Sequence, residues 1–387
     1  MKLCVVTFKE IWRGPDGAWL TDGGFPFQMA SIASYFSQTT LVLVQVPPRE
    51  GGIPLPAGVN VVTVDRPSGH DLRRKASVIA RLPTYLRTIA REVGKADVVH
   101  IPLPGDLSLI GLMTAQALGK PVIARYCGSW VPTSQTTWMN RVTRTWMRCT
   151  AGGRNVMLAT GEGSVPPFRR MHWVFATALS ATELEAVAPR LDRGVSDPPR
   201  LVFIGRLEAG KGLDILIDAL AQLRRAPNGP SPRLTFIGHG SQRQALERRA
   251  AAAGVPVEFT GLLRRSELSR HLLDADLCVQ PSLSEGFSKA WLDALAHGVP
   301  VIASEVGAAR AVVGGDGERG WLVEPGSIES LVATLRDALS ADVDWPSLRR
   351  RCRTFAEDHT LEAWGSRIAS ICAEQWGAKV ENGRLVA

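Results

Sequence analysis

Residues 281–304 read P-S-L-S-E-G-F-S-K-A-W-L-D-A-L-A-H-G-V-P-V-I-A-S, and this stretch decides the fold. The mostly apolar segment A-D-L-C-V, which ends one residue before it, is typical of a buried strand. The segment from about Ser288 to His297 has helical spacing, and Gly298 is a natural residue to end that helix. A strand, a tight loop and a helix in this order place free backbone N–H groups at the carboxyl edge of a parallel sheet, where anionic ligands bind.

Two acidic residues lie in this stretch, Glu285 in the loop and Asp293 in the helix. Carboxylates at the edge of an anion site are costly unless they accept hydrogen bonds from hydroxyl groups. A ligand that carries both phosphate and polyol groups explains them best. We therefore expect this stretch to hold a nucleotide sugar.

The chain has 387 residues, of which 45% are hydrophobic and 21% are charged. This length favours two domains of roughly 150 to 200 residues each. No apolar run approaches the roughly 18 to 20 residues that a membrane span requires. The first apolar run, L-C-V-V-T-F, suits an opening strand better than a signal peptide, so we expect a cytoplasmic protein.

The formal net charge of +8 indicates attraction to an anionic partner, such as nucleotide phosphates, an acidic membrane face or nucleic acid. No helix-turn-helix, zinc-finger or RNP-like pattern occurs, so nucleic acid is not expected as a partner. The six cysteines include no C-x-x-C pair, which indicates reduced thiols rather than a zinc site or a disulfide framework.

The first half of the chain shows a repeating β-α-β pattern, which predicts a parallel sheet with ligands at the carboxyl ends of its strands. Gly23 and Gly24 precede a predicted helix, either as bare backbone that approaches a phosphate or as plain turn residues. His100 is predicted to end the strand A-D-V-V-H-I, either as a substrate contact or as a structural histidine.

Two segments of this half leave alternatives open. The helix predicted at residues 71–95 is basic with an apolar side, which indicates a solvated face or a docking site for anionic lipid headgroups. Four tryptophans lie between residues 130 and 175, and either core packing or an acceptor pocket would use them. These tryptophans are Trp130, Trp138, Trp146 and Trp173.

A second β-α-β series begins with L-V-F-I-G at residues 201–205, after a proline-containing segment that we interpret as a linker. Arg206 and Lys211 flank the turn that follows the first strand of this series. A guanidinium and an ammonium at a strand end can stabilise the charge that develops on a leaving β-phosphate. A divalent metal is therefore not expected.

The segments G-R-L-E-A-G-K-G, I-G-H-G and E-G-F-S-K-A-W-L-D-A-L-A-H-G-V-P-V-I-A-S resemble the motifs of the retaining GT-B family called glycosyl transferases group 1. The resemblance is close from about residue 200 to 340 and fainter in the first half. It implies an α/β protein of GT-B fold, with two Rossmann-like domains whose parallel sheets face each other across a cleft. We place the acceptor-side domain at residues 1–180, the linker at 181–200 and the nucleotide-sugar domain at 201–359, with a helix at 360–376 that packs back on the first domain.

The resemblance also implies roles for individual residues. Arg206 and Lys211 match the pair that binds the diphosphate, Glu285 matches the acid that contacts the donor sugar, and Asp293 matches the acid that holds the ribose hydroxyls. Other substrate-binding positions implied in this way are Gly23, Gly24, Gly205, Leu262, Gly286, Phe287 and Ser288.

The chain departs from the family pattern at two places. Asp293 is one methylene shorter than the usual glutamate, so its ribose contact would be longer or bridged by water. Cys127 lies about where the family often has a histidine near the acceptor. We take His100 as the catalytic candidate in its place, and whether Cys127 or His100 replaces that histidine stays open.

Together these features predict a metal-independent, retaining transferase that moves a sugar from a nucleotide diphosphate sugar to a hydroxyl acceptor. The basic segment 71–95 favours a peripheral position at the inner membrane face and a lipid-linked or envelope glycan as acceptor. Two alternatives are a GT-B nucleotide-sugar epimerase or phosphorylase-like enzyme, and a catalytically silent nucleotide-sugar binding protein.

Overall fold

The structure is a computed structural model that describes residues 1–69, 71–128, 130, 136–226, 229–315 and 317–386. The chain forms two compact units. The first comprises Met1–Thr160, Ser164–Ala178 and Leu361–Ala387, and the second comprises Gly161–Gly163 and Leu179–Thr360. No helix in the described part of the chain is both long and apolar enough to span a bilayer.

The first unit is built on a sheet of nine strands with helices between them. Its strands are β1 (Lys2–Arg13), β2 (Trp19–Thr21), β3 (Gln38–Gln45), β4 (Ile53–Pro54), β5 (Asn60–Asp65), β6 (Val98–Leu103), β7 (Val122–Tyr126), β8 (Asn155–Thr160) and β9 (Met171–Val174). Its helices are α1 (Phe25–Ala33), α2 (Asp71–Lys95), α3 (Asp106–Ala117), α4 (Trp138–Thr150) and, from the end of the chain, α13 (Leu361–Trp376).

Seven strands of this sheet are parallel, in the order β5-β3-β1-β6-β7-β8-β9. The short strands β2 and β4 add antiparallel pairing at the end of β1. Since parallel strands need crossover connections, the helices between them cover the sheet. Helix α13 belongs to this unit and packs on α1, where the Ser31 hydroxyl donates to the Leu361 carbonyl at 2.7 Å.

Side chains alternate between the two faces of the sheet, and the two faces have different partners. One face forms a continuous apolar core with α2, α3 and α4, which contribute Ile89, Leu112 and Met147 among others. The opposite face carries Arg125, whose guanidinium donates to Gln28 of α1 at 2.9 Å.

The second unit is built on one parallel sheet in the order β12-β11-β10-β13-β14-β15. Its strands are β10 (Arg200–Ile204), β11 (Arg233–Ile237), β12 (Val257–Gly261), β13 (Leu277–Gln280), β14 (Val301–Ser304) and β15 (Gly320–Val323). Its helices are α5 (Ala181–Ala186), α6 (Leu213–Arg225), α7 (Arg243–Ala253), α8 (Arg265–Asp274), α9 (Lys289–Ala296), α10 (Ala309–Val313), α11 (Ile328–Ala338) and α12 (Trp345–Glu357). The strand, loop and helix predicted around residues 277–298 are confirmed, with Ser288 as N-cap and Gly298 at a φ of 68° just after the helix.

Residues 181–200, predicted as a linker, lie in the second unit. Arg193 forms an ion pair with Asp276 at 2.6 Å, and Arg349 contacts the same carboxylate at 3.3 Å. The backbone N–H of Arg200 donates to it at 2.9 Å. Because Asp276 is fully buried, these contacts tie the end of the segment to the sheet, which the weak apolar periodicity of the segment did not indicate.

Residues 379–386 form a small hairpin of β16 (Lys379–Glu381) and β17 (Arg384–Val386). The Leu385 side chain is buried, and its backbone N–H donates to the Tyr35 carbonyl at 2.9 Å. The buried leucine and this backbone hydrogen bond therefore help to attach the hairpin to the first unit.

Candidate functional site

The carboxyl edge of the second sheet carries the loops that hold most of the predicted site. Arg206 follows β10 and is exposed, and Lys211 ends a short 3-10 turn at Ala209–Lys211. Gly212 follows with a φ of 63°, and a Cβ there would lie 2.2 Å from the Pro281 carbonyl oxygen. Only glycine therefore allows the Lys211 turn to approach the loop after β13 so closely.

The structure brings Lys211 and Glu285 together. The Lys211 ammonium forms an ion pair with the Glu285 carboxylate, and each side chain is 19% exposed. The backbone N–H of Leu283 donates to the Gly210 carbonyl at 2.9 Å and joins the same two loops. The pair is thus partly shielded from water but still reachable by a ligand.

The loop that carries Glu285 is supported from the segment after β14. The Ala308 N–H donates to the Gly286 carbonyl at 2.9 Å. Gly307 has a φ of 56°, and a Cβ there would lie 2.3 Å from the Glu285 carbonyl oxygen. Phe287 turns its ring inward onto Trp291, with ring centroids 5.8 Å apart, so its side chain anchors the loop.

Asp293 lies on α9 and is held by an arginine that the sequence analysis did not single out. The Arg265 guanidinium donates to the Asp293 carboxylate at 2.7 Å and to the Glu183 carboxylate at 3.2 Å. Glu183 also accepts from the Ser180 N–H at 3.0 Å as part of a capping box on α5. The Asp293 side chain is only 13% exposed, so Arg265 determines where its carboxylate points.

The electrostatics of this cluster follow from burial and charge. Burial lowers the pKa of Arg265, but the charges of Asp293 and Glu183 outweigh it and leave the pKa raised. His297, one turn after Asp293, contacts the Asp293 carbonyl at 2.7 Å and the Ser269 hydroxyl at 2.8 Å. Its pKa is lowered, chiefly by burial, so it is a neutral structural ring.

The other predicted substrate positions fall in different places. Gly205 follows β10 with a φ of 154°, and Leu262 follows β12 with 74% of its surface exposed. Gly23 and Gly24 belong to the first unit, where Gly24 is the N-cap of α1 and Gly23 has a φ of 65°. The sequence therefore placed each of them correctly at the end of a strand or the start of a helix.

The predicted position of His100 at a strand end is wrong. Strand β6 continues through Ile101, Pro102 and Leu103, so His100 lies inside the sheet. Its ring is fully buried, and Nδ1 donates to the Ile123 carbonyl at 3.0 Å. A ring without exposed surface does not contact a substrate in this conformation, so His100 is a structural residue of the first unit.

The four tryptophans divide between core and surface. Trp130 and Trp173 are partly buried against the core of the first unit, and Trp130 meets Tyr126 edge to face at 5.5 Å. Trp138 and Trp146 are 59% and 37% exposed. Core packing and an acceptor pocket were the two alternatives from the sequence, and neither accounts for all four tryptophans.

Six cysteines are free, and Cys4, Cys278, Cys352 and Cys372 are buried. Burial raises the pKa of the first three to about 12. Cys127 is exposed, and its Sγ lies 3.6 Å from the Arg125 carbonyl oxygen. No general base contacts Cys127 among the described residues.

Arg265 and Gly307 are the residues that sequence reasoning missed. Arg265 begins a helix, where the helix dipole disfavours a cation, and that misplaced charge is the signal that could have found it. Gly307 lies in E-V-G-A-A-R, and nothing in this segment distinguishes it from a glycine in an ordinary turn.

Among the described residues, no three His, Cys, Asp or Glu side chains cluster as a metal site would require. Two D-x-D sequences occur, at residues 274–276 and 342–344. Asp276 is the buried partner of Arg193, and Asp344 caps α12 by accepting from the Ser347 N–H at 3.1 Å. Both of these aspartates have structural contacts.

Residues 198–341 match the family model of glycosyl transferases group 1. The chain is 26% identical over 327 residues to the sulfoquinovosyl transferase SQD2 of Arabidopsis thaliana, an alignment that covers 78% of this chain and 60% of that protein. It is 28% identical over 297 residues to the GDP-mannose-dependent alpha-(1-6)-phosphatidylinositol monomannoside mannosyltransferase of Mycolicibacterium smegmatis, covering 70% of this chain and 74% of that protein.

Solved structures resemble the whole fold. The sucrose-phosphate synthase of Thermosynechococcus elongatus superposes with a TM-score of 0.73 at 17% identity, over 97% of this chain and 99% of that one. Anabaena HepE in complex with UDP superposes with a TM-score of 0.69 at 17% identity, over 97% of this chain and 100% of that one. The chain therefore has the GT-B fold, and its residues 198–341 match the model of the glycosyl transferases group 1 family.

Proposed function

We propose that this protein is a retaining glycosyltransferase that moves a sugar from a nucleoside diphosphate sugar to a hydroxyl acceptor. The observation that carries the proposal is the meeting of Lys211 and Glu285 at the carboxyl edge of the second sheet. A cation for phosphate and a carboxylate for sugar hydroxyls lie within one donor molecule's reach, beside the N-terminus of α9.

In the proposed reaction the bond between the sugar C1 and the β-phosphate oxygen breaks. Lys211 and Arg206 stabilise the charge that develops on the leaving phosphate. The acceptor oxygen bonds to C1 on the face that the phosphate leaves, and the acceptor proton passes to the leaving phosphate oxygen. Glu285 orients the sugar through its hydroxyls, Asp293 holds the ribose, and no metal takes part.

The structural relative HepE supports a donor of this class, because it was solved in complex with UDP and UDP-glucose. The mycobacterial relative is named for transfer to a phosphatidylinositol mannoside, which supports a lipid-linked acceptor. We accordingly propose an acceptor glycan that is presented at a membrane face.

The test is a transfer assay over a panel of nucleoside diphosphate sugars with lipid-linked and simple glycoside acceptors, in EDTA. Mass spectrometry identifies the product, and NMR of the new anomeric centre reports its configuration. We expect a product with the donor's configuration. Alanine at Arg206 or Lys211 should lower kcat by about a hundredfold or more, the cost of losing a group of oxyanion-hole strength.

Other outcomes identify the alternatives. An inverted product excludes the mechanism, and dependence on added metal excludes metal independence. Release of free nucleotide or an epimerised donor without acceptor would favour the epimerase or phosphorylase-like reading. Tight donor binding without turnover over the whole panel would favour a silent binding protein.

A further inference from the structure

Helices α2, α3 and α4 lie side by side on one face of the first sheet. Their inward residues Ile89, Leu112 and Met147 share one apolar core with that face. Gln116 of α3 accepts from the Trp146 indole of α4 at 2.8 Å and donates to the Thr150 hydroxyl at 3.0 Å. The outer sides of these helices therefore form one surface, which we call the three-helix surface.

This surface is unusually apolar. Of the thirteen large apolar side chains that are exposed in the described part of the chain, seven lie on or directly after these three helices. The seven are Ile79 (69% exposed), Leu86 (41%), Met113 (45%), Leu118 (47%), Trp138 (59%), Val142 (39%) and Trp146 (37%). Scattered single apolar residues are normal on a protein surface, but a concentration of this kind marks an interaction site.

Helix α4 shows the arrangement most clearly. Trp138, Val142 and Cys149 are exposed and follow one another along a single stripe of the helix at helical spacing. Trp146 borders this stripe on one side and Arg141 borders it on the other. The opposite side of the helix is buried through Met147. The outer stripe of α4 thus presents two indole rings to solvent beside a cation.

The same helices carry a strong positive charge. Exposed basic side chains on α2 and α4 are Arg73, Lys75, Arg87, Arg91, Lys95, Arg141 and Arg148. Two acidic side chains are described on the three helices, and each forms an ion pair with a neighbouring cation. Glu92 is buried and paired with Arg91 and Lys95, and Asp106 is paired with Arg74. Glu92 thus offsets part of the charge of Arg91 and Lys95. The other five cations have no ion pair with a carboxylate among the described residues.

We propose that the three-helix surface docks on an anionic lipid bilayer, with Trp138 and Trp146 at the headgroup level. Indole rings and aliphatic side chains gain by entering the interface while arginines contact anionic headgroups. A second copy of the surface would bring like charges together, and nucleic acid would leave Ile79 and Val142 in water. This inference does not rest on the transfer reaction.

The test is flotation of the full-length protein with vesicles of phosphatidylcholine, alone or mixed with phosphatidylglycerol. We expect binding to the anionic vesicles that weakens at high salt and little binding to the neutral ones. Trp138→Ala combined with Trp146→Ala should weaken binding at least about tenfold because of the lost apolar burial. Arg87→Gln with Arg141→Gln should weaken it about twenty-five-fold, about fivefold per charge.

Matched controls separate this surface from a general charge effect. Arg248→Gln with Arg270→Gln removes the same charge from exposed helical positions of the second unit, and Val165→Ala trims a 76% exposed apolar residue elsewhere in the first unit. Both controls should bind vesicles as the unchanged protein does. Circular dichroism and the thermal midpoint verify folding, and the arginine pair remains informative if the tryptophan pair unfolds.

Three results would overturn the proposal. The protein would fail to float with anionic vesicles, it would bind neutral and anionic vesicles equally, or the folded arginine variant would bind as well as the unchanged protein. Displacement of the vesicles by a single-stranded oligonucleotide would assign the surface to nucleic acid. A dimer in analytical ultracentrifugation that the arginine or tryptophan variants dissociate would assign it to a second copy of the chain.

Discussion

Lys211 and Glu285, 74 positions apart in the chain, form an ion pair at the carboxyl edge of the second sheet. Each side chain neutralises the charge of the other, and both are partly shielded from water. The diphosphate of a donor would attract Lys211, and hydroxyl groups of the donor sugar would donate hydrogen bonds to Glu285. A bound donor would therefore replace the contact between the two side chains. The two opposite charges therefore balance each other at this edge of the sheet.

Replacing Glu285 by Gln should therefore separate binding of the nucleotide from transfer of the sugar. Transfer should fall by about a hundredfold or more if the carboxylate orients the sugar in the transition state. Affinity for the nucleoside diphosphate alone should be unchanged or higher, because Lys211 no longer has a competing carboxylate. Calorimetry of diphosphate binding beside the transfer assay checks this, and a large loss of diphosphate affinity would contradict it.

Arg265 should act on the ribose through Asp293. Arg265→Gln removes a charged hydrogen bond to that carboxylate and should weaken binding of a ribonucleoside diphosphate by about tenfold. A 2′,3′-dideoxy analogue lacks the hydroxyls that Asp293 would hold, so its affinity should hardly change. Arg270→Gln on the same helix is the control. Equal losses for both nucleotides would show a merely structural role, and no binding by the unchanged protein would instead count against the donor site.

Asp276 should be a major determinant of stability in the second unit. It is fully buried and pairs with Arg193 and Arg349, and burial lowers the pKa of Arg349 to about 10. Asp276→Ala leaves two buried or half-buried guanidinium groups without that carboxylate and should cost about 3–5 kcal/mol in the free energy of unfolding. Urea denaturation measures it.

The adjacent Asp274 provides the comparison for that substitution. Its side chain is 54% exposed and its ion pairs with Arg190 and Arg200 are long, at 3.6 and 4.0 Å. Asp274→Ala should cost no more than about 1 kcal/mol. Similar losses for the two variants would mean that the buried network contributes little.

His100 should make the protein less stable in mild acid. Burial, and then the charge of Arg125, lowers its pKa from 6.5 to about 3. Between these two values the unfolded chain binds a proton that the folded one does not. The free energy of unfolding should therefore fall as pH falls below 6.5, by up to about 1.4 kcal/mol per pH unit, and level off near pH 3.

His100→Gln removes this titration and should give a shallower loss of stability between pH 7 and pH 5. Urea denaturation of both proteins at several pH values measures the difference. His297, whose pKa burial also lowers, is present in both proteins, so its contribution cancels in the comparison. Parallel pH profiles would contradict the assignment.

Much of the candidate site could be predicted from the sequence because it depends on local pattern. Apolar runs that end in Gly205 and Gln280 predict parallel strands, and the carboxyl ends of such strands meet at one edge. Arg206, Lys211 and Glu285 each follow one of these runs, so their position at that edge needs no tertiary information. The helix that carries Asp293 is likewise set by its spacing and by Gly298.

The sequence by itself thus determined the two parallel sheets and which loops meet at the edge of the second one. Only the tertiary structure decided that Arg265 holds Asp293, that His100 is buried inside β6, and that Trp138 and Trp146 face solvent beside arginines. The physical reason is that periodicity reports that a side chain lies on a face, whereas burial and ion pairing depend on what a distant part of the chain places against that face.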